Sequence, residues 1–388
     1  MRKIGVFTGS RSEYGLLKGL CKKIQADKRL ELNIFASGTH LSPEFGLTYR
    51  EIENDGFNID EKIITLLSSD TPIAVCKSIA LGLIGYSEAL DRVHPDILVI
   101  LGDRFESLAM AIAALSARIP VAHIHGGEST FGAVDEAFRH AITKMSHLHF
   151  TSTEKYRDRV IQLGETPDNV FNVGALGVEN CKKLVLLKQS DIEKKLKCKF
   201  GKRTALITFH PETLTGESSE IQFHNLLDAL DQFNDIYYIF TKANSDSDGR
   251  IINFLIDDYC RIHKDNSFSI TSMGQQLYLS TLSLVDLVIG NSSSGIIEAP
   301  SLKTPTINIG LRQQGREKAE SVIDCNSDTD SIVSAINQGL SSSDKSDKSI
   351  FNNPYEREGS SDTIIHILKN ISLKKITLKA FHDLPIGS

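Results

Sequence analysis

Residues 97–106 read Ile97-Leu98-Val99-Ile100-Leu101-Gly102-Asp103-Arg104-Phe105-Glu106, and this stretch decides the fold. Five consecutive apolar residues make a strand buried on both faces, which is the habit of a parallel sheet. A glycine then lets the chain turn, and residues 105–118 carry apolar side chains at helical spacing. The same rhythm repeats outward from this point. Residues 3–8, 32–36, 121–125 and 147–151 are further strands, and 12–26, 73–92 and 133–145 have the helical period. Strand then helix, repeated, implies parallel strands joined by right-handed crossovers in a doubly wound sheet.

The rhythm restarts after the glycine turn at 174–177 and a Lys-rich helical stretch at 182–199, with strands expected at 205–209, 237–241, 267–270, 284–289 and 306–309. The expected fold class is α/β, with two doubly wound Rossmann-like domains, residues 1–174 and 175–361, facing a central cleft. A last helix near 362–369 and a polar tail to 388 could pack on either half. Ligands of such folds bind at the carboxyl ends of the strands. The 388 residues suit two domains, and 43 Lys+Arg against 49 Asp+Glu leave a net charge of −6. That balance, with no tryptophan and 7% aromatic residues, argues against a nucleic-acid binder. The six cysteines form no Cys-x-x-Cys pair and read as thiols, not disulfides or a zinc cage. No apolar run approaches the roughly 18 residues that cross a bilayer. A cytoplasmic protein with no signal peptide and no membrane partner is expected.

Polar residues gather at the carboxyl ends of the expected strands. After the first comes Gly9-Ser10-Arg11-Ser12-Glu13-Tyr14, either an ordinary capped turn or a turn whose free N–H groups and Arg11 hold a phosphate. After residues 97–101, Asp103 and Arg104 either pair with each other or divide into a base and an anion contact. The densest group is His123-Ile124-His125-Gly126-Gly127-Glu128, then Asp135, Glu136, Arg139 and His140. Residues two apart on a strand share a face, so His123 and His125 should point the same way. Arg139 and His140 should reach back one helical turn to Asp135 and Glu136. Adjacent carboxylates push each other's protonation apart, which lets one site hold an acid and a base, although both could simply balance the helix dipole. His147 and His149 repeat the His-x-His pattern and raise a minority metal reading, but no carboxylate or thiolate cluster in the second half completes a shell. That half places His210 at the end of its first strand. It also carries Gly290-Asn291-Ser292-Ser293-Ser294-Gly295 followed by Glu298, where hydroxyls and N–H groups suit a diphosphate and Glu298 suits ribose hydroxyls, unless the serine is only a helix cap. Arg312 and Arg316 add two cations near the same mouth.

Together these motifs, with Asp135-Glu136-x-x-Arg139-His140 and Phe209-His210-Pro211, resemble the UDP-N-acetylglucosamine 2-epimerase family, in its hydrolysing branch that feeds sialic acid synthesis. They follow the family's order over most of the chain. The resemblance implies the GT-B-like fold of nucleotide-sugar glycosyltransferases, with the C-terminal helix crossing back to the first domain, no cofactor and no metal. It implies removal of the C2 proton and expulsion of UDP to give a 2-acetamidoglucal. Water then adds at C1 and a proton at C2 on the opposite face, giving N-acetylmannosamine and UDP.

By the same resemblance the acid/base carboxylates fall on Asp103, Asp135 and Glu136, and the catalytic histidine on His210. The UDP contacts fall on Arg11, Arg104, His210, Asn244, Ser292, Ser293, Glu298 and Arg312. Many relatives have a glutamate where this chain has His125. Either Glu128 compensates or His125 serves with Asp135 as partner, and the substitution could also mark enzymes acting on UDP-N,N′-diacetylbacillosamine for legionaminic acid. The implied partners are the UDP-sugar and UDP, with self-association into a homodimer or homotetramer. The alternatives are a non-hydrolysing epimerase, which would return the sugar still attached to UDP, a metal-dependent hydrolase, and a protein that binds UDP without turnover.

Overall fold

The computed structural model describes residues 1–385 apart from 68, 70, 132, 213–217, 244–248 and 343–347. The chain forms two compact units: Met1–Glu128 with Asp135–Asn180 and Arg357–Ser388, and Ser129–Val134 with Cys181–Glu356. In the first, β1 (Arg2–Thr8), β2 (Leu30–Ser37), β3 (Glu61–Ile63), β4 (Ile97–Leu101), β5 (Val121–Ile124), β6 (Leu148–Thr151) and β7 (Val170–Asn172) form one sheet in the order β3-β2-β1-β4-β5-β6-β7. In the second, β8 (Arg203–Thr208), β9 (Ile236–Thr241), β10 (Ser267–Ile270), β11 (Leu287–Gly290), β12 (Thr306–Ile309) and β13 (Val322–Cys325) run β10-β9-β8-β11-β12-β13. Every paired strand is parallel. Both units are therefore doubly wound α/β domains of the Rossmann type.

The strand order reverses beside β1 in one sheet and beside β8 in the other. At such a switch point the loops leaving neighbouring strands diverge and open a crevice at the carboxyl ends. The loops after β1 and β4 carry Gly9–Arg11 and Gly102–Arg104; those after β8 and β11 carry His210 and Asn291. The two sheets thus repeat one device for positioning chemistry.

Three strands escaped the apolar pattern: β3, β7 and β13. Each is short, lies at a sheet edge and carries polar residues, so hydrogen bonding to a neighbour defines it more than burial does. The Lys-rich stretch splits into the helices Leu176–Lys183 and Gln189–Leu196.

In the first unit one core cluster joins Ile4, Val6, Val99 and Ile124 of the sheet to Leu17, Leu20 and Ile24 of helix Arg11–Ala26. Helix Ser360–Asn370 adds Ile364, Ile365 and Leu368, each worth about 1.5–3 kcal/mol on full burial. The tail beyond it stays with this unit. Lys379 bonds the carbonyls of Lys144 and Ser146 at 2.7 and 2.6 Å and lies 2.7 Å from buried Glu165. Burial alone would push the Glu165 carboxyl up, but hydrogen bonds from His149, Lys144 and Lys379 bring it down to about 2.

One helix, Pro72–Val93, is by length and composition apolar enough to cross a membrane, with a third of its most apolar stretch buried. Lys77, Ser78 and Glu88 interrupt its apolar sequence. Its inward residues include Ala74, Gly82, Ala89 and Tyr86, whose hydroxyl lies 2.8 Å from that of Ser37. They pack that one face of the helix against the first domain, and the opposite face is exposed.

Candidate active site

In the first unit β1, β4 and β5 are neighbours, and the residues after them meet in one network. Gly102 turns the chain at φ 81 and accepts a 2.7 Å bond at its carbonyl from His123 Nε2. The other ring nitrogen of His123 meets Thr143 Oγ1 at 3.1 Å, and burial pushes this imidazole down to about 3, so it is a neutral core group. Next along the chain, Asp103 is paired with Arg139 through Nη2, and Arg139 Nη1 donates to the His125 carbonyl at 3.1 Å. Arg139 is almost wholly buried, with 3% of its side chain exposed, whereas 20% of Asp103 is exposed. A buried guanidinium needs its hydrogen bonds and counter-charge close by, and here the same arginine orders a carboxylate and a histidine backbone.

His125 is not on the strand with His123. β5 ends at Ile124, and His125 has φ 67. A non-glycine residue held there stores about 1–3 kcal/mol, which surrounding bonds must offset. The Arg139 bond and the His125 N–H to Phe150 carbonyl bond, 2.9 Å, do so. The imidazole Nδ1 lies 3.4 Å from Glu128 Oε1, and Ser152 donates to that same oxygen at 2.6 Å. Glu128 Oε2 is 3.9 Å from Arg139. His125 therefore takes Glu128 as its charge partner, with Ser152 fixing the carboxylate.

Arg104 bonds Glu106 at 3.1 and 3.3 Å, and Arg139 pairs with Asp103. Glu136 meets His140 at 3.3 Å, while Asp135 begins the same helix, half-buried. The N–H groups expected to serve an anion at the first turn are occupied by Glu13, whose Oε2 accepts from Gly9 and Ser10 at 2.7 and 3.1 Å in a capping box. Burial pushes the Glu13 carboxyl up to about 8, Arg104 drawing it down and Glu106 raising it, so it holds a proton at neutral pH. Arg11 opens the helix, half-buried.

The second unit builds its group at the ends of β8, β11 and β12. The Asn291 side chain clasps the His210 backbone, accepting from its N–H at 2.7 Å and donating to its carbonyl at 2.8 Å. Gly290 permits the approach, since a Cβ there would lie 2.0 Å from the Thr208 carbonyl oxygen. The Asn291 carbonyl accepts from Arg312 Nη1 at 3.2 Å and Gln313 Nε2 at 2.7 Å. Ser292 caps the short helix Ser293–Ile297, with Ser293 as its first residue and buried Glu298 directly after it. Arg316 donates to the Ser129 carbonyl at 2.7 Å. Asn244 lies outside the described residues. His147 and His149 have structural partners, the Val121 N–H and Glu165. Among the described residues no three His, Cys, Asp or Glu side chains are grouped as a metal ion would need.

The family model of UDP-N-acetylglucosamine 2-epimerase matches residues 22–369. The chain belongs to this family. It is 44% identical over 384 residues to a Campylobacter jejuni protein named GDP/UDP-N,N′-diacetylbacillosamine 2-epimerase (hydrolyzing), covering 99% of each chain. It is 38% identical over 390 residues to polysialic acid biosynthesis protein P7 of Escherichia coli, covering 99% of this chain and 98% of that one. The S. aureus MnaA–UDP co-structure shares the fold at TM-score 0.79 and 16% identity, covering 99% of this chain and all 100% of the other.

Within this epimerase family member, sequence reasoning missed Ser152, Glu212 and Gln313. Ser152 follows β6 directly and Glu212 stands two places after His210. Both obey the strand-end rule that found the others, but a lone hydroxyl and a glutamate in a loop carry no motif.

Proposed function

We propose that the protein is a hydrolysing UDP-sugar 2-epimerase that releases UDP and a sugar inverted at C2. The observation that carries this reading is the Asp103–Arg139–His125–Glu128 network at the ends of β4 and β5. It holds more ionisable groups than a nucleotide needs, and it sets a half-exposed carboxylate and an imidazole around one arginine. The relative with 44% identity, named as hydrolysing, supports that outcome.

In the proposed reaction a base takes the C2 proton as the C1–O bond breaks. The C–H electron pair becomes the C1=C2 bond, and UDP leaves with the C1–O pair. Water then adds its oxygen to C1, an acid returns a proton to C2 on the opposite face, the water's spare proton restores that acid, and the base sheds the C2 proton to the departing UDP or to solvent. Asp103 and His125 serve the two faces, with Glu128 balancing the imidazolium. Glu136 and Asp135 lie on the helix that carries Arg139 and complete the proton path. In the second unit His210, Ser292, Ser293 and Arg312 meet the diphosphate, and Glu298 meets the ribose.

Of the two candidate sugars, diacetylbacillosamine is favoured by the relative with 44% identity, and N-acetylglucosamine by the polysialic acid protein. Both sugar nucleotides, offered side by side in heavy water, decide the matter. The expected result is stoichiometric UDP and a free manno-configured sugar carrying deuterium at C2. Neither product from either substrate overturns the reading, and an epimerised sugar still bound to UDP replaces it with a non-hydrolysing one.

Self-association belongs to the same proposal. Helix Pro72–Val93 exposes Ile73, Lys77, Leu81, Ile84 and Glu88 on one stripe. Lys77 and Glu88 stand at equal distances either side of the Leu81–Ile84 pair, so a second copy lying antiparallel brings each lysine to the partner's glutamate. Lys77→Glu and Glu88→Lys should each shift the mass in solution toward a monomer, and the double variant should restore it. Three variants with unchanged mass would reject this surface.

A further inference from the structure

Glu212 is buried, and its surroundings are built from one loop. Its Oε1 accepts the backbone N–H of Leu311 at 2.9 Å and of Arg312 at 3.0 Å. Gln222 adds a side-chain hydrogen bond to the same carboxyl. The loop is seated closely on this oxygen: Gly310 has φ 75, and a Cβ there would come within 2.3 Å of it. From the same loop Arg312 and Gln313 reach the Asn291 carbonyl, and Asn291 closes on both backbone groups of His210. The path is a ring, running His210, Glu212, residues 311–313, Asn291 and back to His210. Burial raises the Glu212 carboxyl, while the two amide bonds and the Arg312 charge oppose the rise. A carboxylate taken out of water is retained at a cost, and its bonds here go to the backbone of the arginine that faces the proposed nucleotide.

We propose that Glu212 is a positioning residue for a nucleoside diphosphate, acting through the Leu311 and Arg312 amides to hold the Arg312 guanidinium and the Asn291–His210 clasp in the binding pose. This rests on the reading of the second unit as the nucleotide half of the site. An arginine whose backbone is fixed loses less freedom on meeting a phosphate, so the ring raises affinity by preorganisation. The chemical step, assigned to the first unit, is left largely untouched.

The test uses the full-length protein with UDP as the probe. Glu212→Ala should weaken UDP binding about ten- to a hundredfold by calorimetry, since it strands two buried donors. Glu212→Gln, which keeps an acceptor oxygen, should restore most of that affinity. KM should rise with kcat nearly constant. Hydrogen exchange at Leu311 and Arg312 should quicken in the alanine variant without any ligand. In a double-mutant cycle the losses from Glu212→Ala and Arg312→Ala should be less than additive, because one acts through the other. Wild-type UDP affinity in the alanine variant, or fully additive losses, overturns the proposal. A wild-type protein that does not bind UDP overturns the reading of the site and the ligand named here, while amide exchange still decides whether the clamp exists.

Discussion

Asp103→Asn should lower kcat by about three orders of magnitude, the middle of the range for losing a general acid or base, and leave the dissociation constant of UDP within about threefold. The asparagine keeps an oxygen for Arg139 and nearly the same volume, so the buried guanidinium retains a partner and the fold is undisturbed. What it loses is the carboxylate oxygen that would take the C2 proton. Asp103 is also the exposed end of its pair with Arg139, placed where a substrate atom can reach it. Steady-state rates, calorimetry with UDP and the incorporation of deuterium at C2 measure the three quantities separately. A variant with wild-type turnover removes Asp103 from the chemistry. A parallel loss of UDP affinity would instead make it a structural anchor.

Arg139→Leu should have the second large effect, and on two observables at once. Its guanidinium serves Asp103 and the His125 carbonyl, with Glu128 at 3.9 Å. Removing one partner of a buried ion pair typically costs about 3–5 kcal/mol because the other charge is left behind. Two carboxylates would then face each other without a cation, and His125 would lose the bond that holds its left-handed backbone. Urea unfolding should show the loss of stability, and kcat should fall about a hundredfold or more through the displaced groups. Arg139→Lys should rescue little, since an ammonium lacks the fork that spans both acceptors. Stability within about 1 kcal/mol of wild type would show that Arg139 is not a structural centre.

The doubly wound domains were legible because buried parallel strands are continuous apolar runs, and residues 97–101 and 287–290 could hardly be anything else. Candidate site residues stood out where a recognisable motif followed such a strand, as with Asp103, His125, Glu128, His210 and Ser292, and not where a lone side chain did, as with Ser152. Which side chain meets which was not. Asp103 and Arg104 are adjacent, yet each turns to a residue further on, since neighbouring side chains of an extended segment point to opposite sides. His125 looked like the third residue of an alternating strand, but a backbone carbonyl bond from Arg139, invisible to periodicity, holds it outside. Glu212 was passed over for the same reason, since its partners are amides that every residue possesses. The Pro72–Val93 helix shows the converse limit: its average composition crosses a threshold that its scattered charges had concealed.

The first unit is assembled from three pieces of chain, and its core includes Ile364, Ile365 and Leu368 from the third. During synthesis the second unit, most of it the unbroken run Cys181–Glu356, has its whole core available before that third piece has been made. The β1–β7 sheet must meanwhile wait with an apolar face uncovered, since contacts between the beginning and the end of a chain carry the largest loop-closure entropy and form late. The domain assigned to proton transfer is thus the last to mature. A nascent chain that has emerged as far as about residue 356 would hold a finished second unit beside a sticky, incomplete first one, the kind of species that chaperones retain.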